Sequence, residues 1–173
     1  CQLVVAFQVT PSMVAHVPSF ALAASLAGYG FVRYRREGRR RELLTFILVM
    51  MGIALWQLGT FFRSGFTSES TTLLFINVIN AVAVPLAAHA LVLFALTFAS
   101  VGRRYVRVVG VLLVVNVLAG VVAVALDPEF FYVVHGIESQ GPVELFNVTF
   151  DEWLVLDRTL EPQFRLYQLY GYV

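Results

Sequence analysis

Leu73 to Ala99 reads LLFINVINAVAVPLAAHALVLFALTFA, an apolar run without a single Asp, Glu, Lys or Arg. A hydrocarbon core about 30 Å thick takes roughly 20 apolar helical residues to cross, and a helix satisfies its own backbone hydrogen bonds there. The run therefore reads as a transmembrane helix, long enough to tilt or kink. Met13 to Val32, Leu43 to Phe62 and Val108 to Leu126 meet the same requirement, and an apolar, aromatic stretch starts again near Gln163. The fold class expected is an all-α integral membrane bundle with helices at about 13–32, 43–62, 73–99 and 108–126. A fifth is expected to begin at 163–173.

Composition agrees: 59% of the 173 residues are hydrophobic, only 13% are charged, and mean hydropathy is +0.79, far from a soluble domain. The chain begins at Cys1 and stops at Tyr172-Val173 inside an apolar stretch, so both ends are expected to be cut, leaving a single truncated membrane domain over 1–173. One cysteine excludes an internal disulfide and a Cys-based metal cluster. Cys1 to Thr10 has no basic region and no small-residue cleavage site after it, which argues against a cleavable signal peptide.

Charge marks the sides of the membrane. All twelve basic residues are Arg, and Arg33, Arg35, Arg36, Arg39, Arg40, Arg41, Arg103, Arg104 and Arg107 crowd into the links after helices 1 and 3. Acidic residues dominate after helix 4, from Asp127 and Glu138 to Glu161. Short Arg-rich links resist translocation, so both basic links are expected in the cytoplasm, with the N-terminus, the link at 63–70 and the segment 127–161 outside. The basic run lies between two spans, which favours this topology over nucleic-acid binding, and no nucleic-acid partner is expected.

The outer segment is too polar to span and too aromatic for a plain linker. Phe130 to His135 and Val143 to Phe150 are strand-like runs broken by Gly136, Gly141 and Pro142, which predicts a small β-hairpin over the helix mouths. Alternatively, Trp153 and Tyr167 serve as interfacial anchors. Asn147-Val148-Thr149 is a glycosylation sequon on the outer side.

Few residues offer chemistry. An ionisable residue inside a span is a functional candidate by default, and the apolar interiors hold only His16 and His89; Asn77, Asn80 and Asn116 are further polar candidates, joined by Trp56 as a pocket-lining candidate. At 1.5 Å per residue His16 and His89 differ in depth by roughly 20 Å, which argues against a shared haem or metal. His89 reads first as a hydrogen-bonded structural histidine, and the asparagines as partners of neighbouring helices. Pro85 removes the hydrogen bond to residue 81 and is a kink candidate. Ala21, Ala24, Ser25 and Gly28 fall within about 100° on helix 1, and Gly52, Trp56 and Gly59 share a face of helix 2, so both stripes are expected to be helix contacts. No phosphate loop, CxxC, HExxH or GxSxG occurs. Neither a catalytic residue nor a metal or cofactor site is expected.

Taken together, Thr10-Pro11 before an Ala/Leu-rich helix, the link Arg33-Tyr34-Arg35-Arg36, the segment Ala54-Leu55-Trp56-Gln57-Leu58 and the phrase from Ala83-Val84-Pro85 to Phe94-Ala95-Leu96-Thr97-Phe98 resemble a known family. It is the N-terminal seven-transmembrane sensor region of histidine kinases, haloarchaeal and bacterial. Leu126-Asp127-Pro128 stands where that family usually has Thr-Asn-Pro. The resemblance implies a sensor whose phosphate-accepting histidine and ATP-binding domain follow helix 7 in the cytoplasm. It also implies a homodimer in the full-length protein, and a response regulator as partner through those later domains. The alternative is a transporter or channel lined by Asn77, Asn80, His89 and Asn116. A retinal protein would need a Schiff-base lysine, and the chain has none.

Overall fold

The structure is a computed structural model that describes residues 8–38, 40–65, 69–128, 130–140, 142–145, 148–150 and 153–160. Its elements are helices α1 (Pro11–Arg36), α2 (Arg41–Gly65), α3 (Glu69–Phe98) and α4 (Arg103–Leu126), then strands β1 (Tyr132–Gln140), β2 (Val143–Leu145), β3 (Val148–Phe150) and β4 (Trp153–Leu160). All four helices are long and apolar enough to cross a membrane. Each outruns its apolar segment because helical backbone continues into the polar links. Arg39, Asn147 and the expected fifth helix lie outside the described residues.

Local chemistry sets the helix ends. Thr10 caps α1 in an extended conformation, its hydroxyl accepting from the Met13 N–H at 3.3 Å, with Pro11 at the first helical position. At the other end the Glu37 N–H donates to the Arg33 carbonyl and Gly38 turns the chain at φ +86°, a left-handed conformation that glycine adopts without a Cβ clash. Arg33, Arg35 and Arg36 occupy the last turn, where the helix dipole favours cations. The α3–α4 turn uses the same device without glycine: Ser100 sits at φ +54° while the Val101 N–H reaches back to the Leu96 carbonyl at 2.9 Å.

The helices form a row in which each packs on its neighbour in sequence. Between α2 and α3 the antiparallel register runs from Thr45–Thr97 through Phe46–Phe94 and Gly52–Ala87 to Gly59–Ile79. Gly52 is a point of backbone contact, since a Cβ there would lie 2.7 Å from the Ala87 nitrogen. Between α1 and α2 the contacts run from Ser12–Ser64 to Gly30, which abuts Phe46 and Ile47. The outer members, α1 and α4, leave most of their surface unburied, including Leu22, Tyr29, Val111, Val115, Leu118 and Val122.

Two sequence expectations change here. The stripe Ala21, Ala24, Ser25 and Gly28 lies on the exposed side of α1, and a Cβ on Gly28 would meet nothing within 4 Å. The face that meets α2 carries Met13, His16, Phe20, Ala23, Ala27 and Gly30, about 120° round the helix. In an Ala-rich helix small residues occur on every side, so smallness alone does not choose a face. On α2, Gly52 and Gly59 are buried, while Trp56, on the same side of the helix, is 47% exposed.

Beyond α4 the chain makes two two-stranded antiparallel sheets, one nested within the other. β1 pairs with β4 from Tyr132↔Leu160 to Gln140↔Trp153, with a bulge between Val134 and Gly136, and β2 pairs with β3 from Val143↔Phe150 to Leu145↔Val148. The partner of the first strand is thus Trp153–Leu160, while 143–150 folds back on itself. Pro142 has no N–H to donate to a ladder, which breaks the chain between β1 and β2.

Candidate functional site

The polar residues singled out in the sequence separate into distinct places along α3. Nearest the β-structure, Asn77 is fully buried and its Nδ2 donates to the Pro128 carbonyl, just past the end of α4. Beside it Phe131, also fully buried, packs with Ala81 and Val124 and is flanked by Val82 and Phe130. These contacts fasten the root of the segment after α4 to α3, and β1 itself packs against α3. Among the described residues the Asn77 Oδ1 has no hydrogen-bond partner. Asn80 is buried one turn further along.

Midway along the helix, Pro85 cannot donate to the Ala81 carbonyl. That carbonyl is covered by α4, where Gly120 approaches so closely that a Cβ on it would lie 3.2 Å from the oxygen. Such an approach permits a weak Cα–H···O contact. One turn deeper, His89 Nδ1 lies 3.0 Å from the Pro85 carbonyl, and its Nε2 lies 3.1 Å from Asn116 Nδ2 on α4. A carbonyl only accepts, so Nδ1 carries the proton, and Nε2 then accepts from the Asn116 amide. This assigns a neutral imidazole by its partners. His89 and Asn116 therefore meet, while Asn77 and Asn80 do not join them. His16 is engaged elsewhere: its Nδ1 donates to Gln57 Oε1 at 2.6 Å between α1 and α2.

At the far end of α3, Thr97 hydrogen-bonds Thr45 on α2 at 3.1 Å, both hydroxyls being buried. Each hydroxyl has one proton, so one of the two donates across the interface while the other donates to a carbonyl of its own helix, Leu93 at 2.8 Å for Thr97 or Arg41 at 3.1 Å for Thr45. Sequence reading passed over this pair because threonine is unremarkable in a helix; its signal is the antiparallel register set by Gly52 and Gly59. Arg33 pairs with Glu37 and lies 5.8 Å from the Tyr29 ring centre. As an exposed pair one turn apart it adds little stability.

Among the described residues no group of three or more His, Cys, Asp and Glu could hold a metal ion. What the site offers is mechanical: one long helix is fastened to the segment after α4 at one end, to α4 through the Ala81–Gly120 contact and the His89–Asn116 pair midway, and to α2 through two hydroxyls at the other end. A family model described as the N-terminal 7TM region of histidine kinase matches residues 16–173. No curated protein and no solved structure matches the chain. A multi-pass helical architecture and a match over nearly the whole chain place this protein in the family of histidine kinase N-terminal 7TM regions.

Proposed function

We propose that the chain is the signal-input region of a two-component sensor histidine kinase, with its N-terminus outside the cell and its basic links in the cytoplasm. The outer segment receives or gates an extracellular or intramembrane signal, and α3 carries it across the bilayer. The supporting observation is the double attachment of the outer segment to α3 through the Asn77–Pro128 hydrogen bond and buried Phe131. A movement of β1 or β4 would therefore load α3 directly. Tightly packed helices shift between discrete arrangements rather than bending continuously, so a small displacement outside becomes a change of state within the bundle. The kinase core that reads this change follows later in the full-length protein, as a homodimer that passes phosphate to a response regulator. Membership of a sensor family favours this reading over a transporter lined by Asn77, Asn80, His89 and Asn116.

The experiment replaces Gly136 to Phe150 with a Gly-Ser turn in the full-length protein and measures autophosphorylation across candidate stimuli. Loss of stimulus dependence with normal membrane insertion is the expected result. Unchanged regulation removes the outer segment as the input and moves attention to His89 and Asn116.

A further inference from the structure

The two basic links converge on one cleft. At the end of the bundle that carries them, two adjoining cavities of about 330 and 490 Å³ lie between the start of α2, the end of α3 and the start of α4. Arg41, Arg103 and Arg107 line the cleft beside Thr97, and Leu44 and Val106 give it apolar walls. Among the described residues none of these three arginines makes an ion pair, and Glu42 is the one acidic residue that borders the cleft.

Arg41 occupies the first turn of α2, and Arg103 the first turn of α4, which follows Gly102 and has no side-chain cap. Helix N-termini carry partial positive charge and free N–H groups, so cations there oppose the dipole and an anion is favoured. Holding the links on one side of the membrane requires only positive charge in them. It does not require three arginines from two links to line one cavity with aliphatic walls.

We propose that this cleft binds a phosphate-bearing anion, in the form of the headgroup of an anionic phospholipid whose acyl chains run along Leu44 and Val106. Guanidinium groups grip phosphate oxygens through paired N–H donors, and basic pockets between membrane helices suit such headgroups. The bound lipid ties the first and third links together across the end of α3, beside the Thr45–Thr97 pair. The lipid would thereby brace the end of the bundle opposite the outer segment.

The test titrates the detergent-solubilised full-length chain with phosphatidylglycerol, phosphatidylcholine or inorganic phosphate at fixed ionic strength, and reads bound ligand by native mass spectrometry. Phosphatidylglycerol should bind more tightly than phosphatidylcholine. Removing two guanidiniums with Arg103→Gln and Arg107→Gln should weaken phosphatidylglycerol by about 25-fold, at about fivefold per cation. The control Arg35→Gln with Arg36→Gln removes the same charge from the end of α1 and should weaken it by less than about threefold. Arg103→Lys with Arg107→Lys keeps the charge and should bind in between, which separates loss of the paired donors from misfolding. Equal losses in the two Gln double variants, or no preference for phosphatidylglycerol, overturn the proposal. Inorganic phosphate that binds as tightly and displaces the lipid overturns the lipid source and leaves a soluble phosphate as ligand.

Discussion

Gly52 and Gly28 are both glycines in apolar helices, and their surroundings assign them opposite roles. A methyl group on Gly52 would strike the backbone of Ala87, which a rotamer change does not relieve, whereas one on Gly28 enters open space. Gly52→Ala should therefore destabilise the chain in detergent by about 1 to 3 kcal/mol, the usual cost of overpacking, and Gly28→Ala should cost nothing measurable. Thermal unfolding of the two variants decides it, and equal melting temperatures would contradict the α2–α3 contact. His89 and Asn116 allow a finer measurement. Asn116→Leu strands the Nε2 lone pair of His89, His89→Leu strands the amide of Asn116, and the double variant strands neither. A double-mutant cycle should return a coupling of about 0.6 to 1.7 kcal/mol, the range for hydrogen bonds between membrane helices. Zero coupling would mean the two side chains do not bond. Sequence alone marked both residues as polar groups needing partners; it did not pair them, because their separation of 27 positions is bridged only by the packing of α4 on α3.

Among the elements, α3 has contacts of a different kind at each level. The end near Pro128 holds the start of the β-structure, the middle sets Ala81 against Gly120 of α4, and the far end holds α2 through Thr97. Asn77→Ala removes the donor to Pro128 and should loosen the outer segment without unfolding the helices. Hydrogen exchange in 132–160 should rise by about tenfold, one lost hydrogen bond near 1.4 kcal/mol, while exchange in α2 stays the same. Unchanged exchange in 132–160 would show that Phe131 suffices to hold the segment. Helix positions were legible in the sequence from hydropathy, and their extra turns followed from caps such as Thr10 and Gly38. Strand partners were not: Phe130 to His135 and Val143 to Phe150 have strand character, yet the pairing of β1 is made by Trp153–Leu160, whose Trp153 reads alone as an interfacial anchor. Pairing depends on which strand the intervening chain can bring alongside, a property of neither run separately.

For the whole molecule, the sides of the membrane are the most direct prediction. With Cys1 replaced by Ser, a membrane-impermeant thiol reagent should label Gln140→Cys in intact cells and leave Gly38→Cys unlabelled until the membrane is opened. The reverse pattern would invert the topology, and with it the proposal that the outer segment is exposed to external signals. By itself the sequence determined that the chain spans a membrane, where its four helices run and which links carry the positive charge. Hydropathy and charge are summed along the chain, and a span needs no partner to satisfy its own backbone. The tertiary structure alone decided that helix 1 packs through Met13, Ala23 and Gly30 and leaves Ala24 and Gly28 outside, that His89 meets Asn116, and that Arg41 faces Arg103 and Arg107 across one cleft. Small residues on every side of a helix make its faces nearly equivalent in sequence. Contact with a neighbouring helix, set by shape and by the close approach at Gly52, Gly59 and Gly120, removes that equivalence.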